Sequence, residues 1–304
     1  MLEWGAVPKY LIACLGLGLL TLATLAEQAD VKPLTPTNVP VNTGKDEDDP
    51  HVSTNGLTLL YVRDTGKRYE LMAATRKAAT DPWTPGQPLT DIKSKESDFR
   101  SPFLTADGKY PQRLYYSSNM DPLTKGAKGD NHDIYYLVKL DAGSNFGSYN
   151  ALVSVGTEVD ETHPWITADE QDVYFSRKTE GGWRQFVASK PKDGGQFGVP
   201  TQVKLPLGFH HATLTPDGKT MYLQGPVASN TKGRRWGLYV STSLGKGMWS
   251  KPEPLEGLNQ TLSQQGDMSP ALSGDGATLY FVSDRAGGKG GLDIWSIPTA
   301  QLKR

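Results

Sequence analysis

The histidines and carboxylates of this chain that are suited to acid–base chemistry or metal ligation gather just ahead of a recurring proline. The runs are Asp46 to Asp49 before Pro50, Asp98-Phe99-Arg100 before Pro102, Asp160-Glu161-Thr162-His163 before Pro164, Phe209-His210-His211 before Ala212, and Asp267-Met268 before Pro270. Four of these runs carry a carboxylate, and three carry a histidine when His51 is counted. Imidazole and carboxylate together suit zinc or a similar divalent ion. Glycoside hydrolysis instead needs one acid of raised pKa and a second carboxylate at a fixed distance, and Asp98, Glu161 and Asp267 are the acids that could converge in that way. The plainer reading is that the acids belong to the repeat itself, capping turns and pairing with Arg100 or backbone N–H groups. The candidate binding residues are therefore Asp49, His51, Asp98, Arg100, Glu161, His163, Trp165, His210, His211 and Asp267. No catalytic residue is assigned.

Other patterns carry less. Gly287-Gly288-Lys289-Gly290-Gly291 resembles a phosphate cradle, but no helix follows it, so it reads as a loop, with Asp284 and Asp293 hydrogen-bonding across it. Asp121 to Asp133 is acidic without the oxygen spacing of a calcium loop. Trp165, Trp183, Trp236 and Trp249 are candidates to stack on a sugar or peptide. The positions of Trp83 and Trp249 in the repeat favour packing between blades, so Trp165, beside His163, is the best of them.

These residues must be held by strands. In five segments the first residue precedes a turn residue by five positions: Pro50 and Asn55, Pro102 and Asp107, Pro164 and Asp169, Ala212 and Asp217, Pro270 and Asp275. Glycine follows in four of the five, and Asn-Gly or Asp-Gly between apolar runs is a strong hairpin signal. An alternating strand with Tyr61, Tyr115, Tyr174, Tyr222 or Tyr280 comes next. A third strand follows, around Leu71, Ile134, Phe186, Leu238 and Ile294. A fourth is marked by an aromatic and then an aliphatic residue: Trp83 and Leu89, Phe146 and Leu152, Phe197 and Val203, Trp249 and Leu255. Turn-to-turn spacings of 52, 62, 48 and 58 residues, with insertions in outer loops, suit a propeller repeat.

The expected fold is all-β: a five-bladed β-propeller of four-stranded antiparallel blades at about 46–92, 96–155, 158–205, 207–257 and 265–304. The last unit ends without a fourth strand. An open edge invites pairing with other chains, so an N-terminal strand at about 31–39, within the segment 27–45, is expected to close the ring, with Pro33-Leu34 standing where Pro88-Leu89 stands in the first blade.

Met1 to Ala26 reads as a secretory signal with cleavage after Ala26. Leu11-Ile12-Ala13-Cys14 resembles a lipobox, but most of the apolar run follows Cys14, which disfavours a lipoprotein. The mature chain then has no cysteine, and it is expected to be periplasmic or secreted and monomeric. A formal net charge of -1 gives no field for nucleic acid. No cofactor is expected, although a divalent cation at the channel is an open expectation.

Ser269 to Arg285, Ser-Pro-Ala-Leu-Ser-Gly-Asp-Gly-Ala-Thr-Leu-Tyr-Phe-Val-Ser-Asp-Arg, and the Gly-Gly-Leu-Asp-Ile-Trp that ends at Trp295 resemble the WD40-like repeat of TolB-type propellers. They are especially similar to copies found beside OmpA-like domains. The resemblance spans about residues 46 to 304; it is specific in the fifth unit and good in the second. It implies a periplasmic or secreted propeller that docks proteins or envelope components, without shared catalytic residues. The expected function is a non-catalytic binding scaffold for an envelope protein or cell-wall component. The alternative is a carbohydrate-active enzyme, hydrolase or lyase, using channel carboxylates.

Overall fold

The computed structural model describes residues 33–92, 96–121, 127–147, 149–227, 236–259 and 264–302. The signal and lipobox readings of residues 1–26 lie outside them, as do residues 122–126 of the acidic loop considered for calcium. The described chain is five antiparallel sheets in a ring. The innermost strands are Glu47–Val52, Phe99–Leu104, Glu161–Ile166, His210–Leu214 and Asp267–Leu272. Each pairs with a second strand, which pairs with a third, and a short outer strand completes the sheet; the fourth sheet has two such outer pieces, Met248–Trp249 and Glu253–Pro254.

Turn chemistry fixes each first hairpin. Ser53, Thr215 and Ser273 donate their hydroxyls to Asn55, Asp217 and Asp275, and the next glycines, Gly56, Gly218 and Gly276, sit at φ of 73°, 65° and 70°. In the third blade, Glu170 replaces the glycine and keeps the left-handed φ of 55°, with its carboxylate paired to Arg113 at 2.5 Å.

Five apolar clusters each straddle two neighbouring blades. Tyr61, Met72 and Trp83 of the first blade, for example, pack with Tyr280, Val282 and Ile294 of the fifth. An isolated blade cannot bury its faces, so the ring is what makes the cores. Trp83 and Trp249 are buried in such clusters, as their repeat positions suggest.

The outer strand of the fifth sheet is Thr37–Asn38, with Thr37 opposite Ser296 and Asn38 opposite Trp295. The register differs from the sequence alignment. Leu89, Leu152, Val203 and Leu255 each donate their backbone N–H to the third strand of their blade, and in the fifth sheet Val39 makes that bond, to Ile294. Val39, rather than Leu34, therefore stands where Leu89 stands; Leu34 instead donates to Gly257. A proline–aliphatic pair was too short a pattern to set the register, whereas burial was decisive: Val39 and Val41 are each 3% exposed.

Candidate functional site

Numbering each inner strand from the residue just before the repeated proline or alanine separates the tasks of the candidate residues. Three positions earlier stand Asp46, Asp98, Asp160, Gly208 and Gly266. The three acids there hold the preceding blade. Asp46 accepts from Leu292 N at 2.9 Å, Asp98 from Tyr69 N at 3.1 Å, and Asp160 from His132 N at 2.9 Å.

Two positions earlier stand Glu47, Phe99, Glu161, Phe209 and Asp267. Each acid is 0% exposed and bound to an arginine: Glu47 to Arg63 at 2.8 Å, Glu161 to Arg177 at 2.7 Å, and Asp267 to Arg285 at 2.6 Å. The arginines also donate to Val41 O, Val155 O and Leu258 O in the segment arriving from the previous blade. These pairs are joints between blades. The trio Asp98, Glu161 and Asp267 is thus held at the blade joints by a backbone N–H, Arg177 and Arg285 respectively, whereas Arg100, the arginine named in the sequence reading, lies nearest Asp48.

A further acid leans on one of these joints. Asp133 lies beside Glu161, and burial first, then the Glu161 charge, push its carboxyl from 3.8 up to about 6. Folding therefore favours the protonated form. That stabilisation is full below about pH 4 and is lost as the pH rises through about 6. Asp133→Asn is expected to raise the thermal midpoint at pH 7 and leave it unchanged near pH 4; a midpoint lowered at pH 7 would contradict the assignment.

At the reference position stand Asp49, Ser101, His163, His211 and Ser269, one per blade. All five have left-handed backbone, φ 49° to 54°, at a bulge where strand register slips. Non-glycine residues rarely adopt this conformation, and the bulge re-aims each side chain. Asp49, Ser101, His163 and His211 line a cavity of about 50 Å³. The ring brings Asp49, His163 and His211 together. His163 Nε2 is 3.3 Å from Asp49 Oδ1, and the two imidazoles stack at 3.5 Å between centroids, 26° between planes. Ser101 donates both N–H and hydroxyl to Asp49 Oδ2, at 3.0 and 3.1 Å. The sequence reading missed Ser101 and Ser269; the signal was their place directly before Pro102 and Pro270.

Two positions later stand His51, Phe103, Trp165, Thr213 and Ala271, a second ring of the channel. His51 packs on Phe103 at 4.5 Å, and Phe103 meets Trp165 edge-on at 6.1 Å. His51 and Trp165 both line the cavity of about 50 Å³. Two candidates stand aside from the central ring. His210 stacks on Trp183 at 5.3 Å and lies 3.0 Å from Gln224 Nε2. Arg100 lies over the Tyr69 ring at 3.4 Å, with Asp48 at 3.8 Å. In the Gly-rich loop Asp293 accepts from Lys289 N and Gly290 N as expected, whereas Asp284 turns away to accept from residues 264–266.

The electrostatics of the mouth are polarised. Burial raises the Asp48 carboxyl to about 6, reinforced by Asp49. Burial acts the same way on Asp49, but His163, then His211 and Arg100, outweigh it and hold Asp49 ionised well below the usual carboxylate range. Burial pushes His51 down to about 4 and His210 to about 3, and puts His211 well below 6.5, with His163 adding to the last two. The mouth thus sets the Asp49 carboxylate among the imidazoles of His51, His163 and His211 and the Ser101 hydroxyl: a set that can ligate a cation or accept hydrogen bonds from a partner.

The fold and this ring define a five-bladed β-propeller with a polar channel mouth. No protein-family model matches the chain, and no curated protein matches it. Solved structures do. TolB from Acinetobacter baumannii aligns with TM-score 0.50 and 15% identity over 84% of this chain and 54% of that one, so the chain spans about half of that TolB. A GH43 endo-arabinanase from Bacillus licheniformis aligns with TM-score 0.57 and 11% identity over 87% and 96%. The α-L-arabinofuranosidase of Podospora anserina, solved with cellotriose, gives 0.55 and 12% over 88% and 96%. At these identities the likeness is one of fold.

Proposed function

We propose that the chain is an exported, non-catalytic binding module of the cell envelope, which engages a protein or envelope component at the channel mouth ringed by Asp49, His163 and His211. Export rests on the signal-like segment Met1 to Ala26. The observation that carries the non-catalytic reading is the commitment of Asp98, Glu161 and Asp267 to backbone and arginine partners at the blade joints. A glycosidase needs two carboxylates about 5 to 9.5 Å apart, flanking the sugar.

The hydrolase alternative draws on the arabinan-active neighbours and on Asp48 and Asp49, whose pKa values are driven apart as in an acid–base pair. Both carboxylates, however, bond the one Ser269 hydroxyl, at 2.7 and 3.4 Å, which leaves no place for a sugar ring between them. The purified chain is expected to release no sugar from arabinan, arabinoxylan or para-nitrophenyl α-L-arabinofuranoside above the protein-free rate. Turnover that Asp49→Asn abolishes would replace this reading with the hydrolase one.

A further inference from the structure

We infer that Asp49, His163 and His211 form a site for one divalent transition-metal ion of zinc's class, with its open coordination positions facing the channel cavity. The inference deepens the binding reading above and rests on it only for the role of the mouth.

Three blades each contribute one residue, and one donor atom from each lies within 4.8 Å of the others. Zinc bonds of about 2.0–2.2 Å put tetrahedral donors about 3.4 Å apart and in line with each ring plane, so binding requires the His163 and His211 rings to rotate out of their 3.5 Å stack. The remaining atoms of two of the ligands are already engaged. His163 Nδ1 lies 2.8 Å from Thr162 Oγ1, leaving Nε2 toward Asp49. Asp49 Oδ2 holds Ser101, and Oδ1 faces His163 with only a long 3.4 Å bond from the Ser269 hydroxyl. Outer partners of this kind orient metal ligands and fix the imidazole tautomer.

A second, independent observation points to a ligand. His211 is 8% exposed, and its Nδ1 is buried without any hydrogen-bond partner. Buried polar atoms are ordinarily satisfied, and one left over on a residue grouped with a carboxylate and a second imidazole is a donor available to a metal.

The ligand chemistry selects the ion. Two nitrogens and one carboxylate suit zinc, copper, nickel or iron, whereas calcium takes six to eight oxygens. Three protein ligands leave zinc an open position, and the cavity of about 50 Å³ can hold a water or a side chain reaching in from a docked partner.

The test uses the full purified chain, stripped with a chelator and then given zinc alone. Uptake of about one equivalent is expected, with a rise in thermal midpoint of about 5 °C at a hundredfold excess over Kd. Calcium at the same concentration should give no shift, and cobalt(II) should give visible d–d bands. His163→Gln/His211→Gln is expected to lose both the uptake and the shift. Uptake below about a tenth of an equivalent, an equal shift with calcium, or an equal zinc shift in the double variant would overturn the site. If the variant does not fold, the cobalt spectrum of the unaltered chain decides, and the absence of visible bands overturns it. Because no partner is present, the result stands apart from the binding reading itself.

Discussion

Asp267→Ala is expected to lower the unfolding free energy by about 3–5 kcal/mol, read as a fall in the urea midpoint with unchanged slope. The cause is the partner left behind. Arg285 is 5% exposed on its side chain and would keep its charge in the joint between the fourth and fifth blades without an anion. Its bonds to Leu258 O and Ser283 Oγ satisfy donors but do not neutralise it. The equivalent changes at Glu47 and Glu161 should cost less, because Arg63 and Arg177 are 19% and 15% exposed and water can screen them. Asp267→Leu/Arg285→Met is expected to recover most of the loss, since removing both charges leaves nothing unpaired. Equal losses in the single and double variants would show that packing, not charge, dominates the joint.

A chain beginning at Gly44 is expected to lose a comparable amount. Val39 and Val41 are each 3% exposed, and burial of each contributes about 1.5–3 kcal/mol, so about 3–6 kcal/mol goes with the pair. Asn42 goes too, with its two bonds to the Ile294 backbone at 2.7 and 2.9 Å. The strand Asp293–Pro298 would then present an open edge, and such edges pair with other chains. The truncated chain should melt well below the intact one and migrate as dimers or larger species in size-exclusion chromatography. An unchanged midpoint and a monomeric profile would mean that Thr37–Asn38 does not hold the ring.

What was legible in the sequence was local. The Asp-Gly turns and the strand behind each of them need only neighbours a few residues away, so five blades could be read from five copies of one pattern. What was not legible depends on pairs far apart. Glu161 and Asp267 look like exposed acids until Arg177 and Arg285, sixteen and eighteen residues on, are seen to cover them. His210 and His211 are adjacent, yet one faces the Trp183 and Trp236 rings and the other the channel, because the bulge turns the chain between them. Ser101 and Ser269 were overlooked because serine announces no chemistry by type. Their significance is positional: each stands in the ring and donates to the acid opposite, Ser101 to Asp49 and Ser269 to Asp48 and Asp49. Thr37–Asn38 falls within the segment 31–39, but the register was read five residues early, since Pro33-Leu34 copies the pattern of Pro88-Leu89 while Val39 supplies the buried side chain.

The most direct test of the mouth as a binding surface is capture from the envelope fraction of the producing cell. The immobilised chain is compared with an Asp49→Asn/His163→Gln/His211→Gln variant shown to be folded by its thermal transition. The account predicts a component retained in stoichiometric amount by the unaltered chain and lost from the variant. Equal retention by both, or none by either, would contradict it.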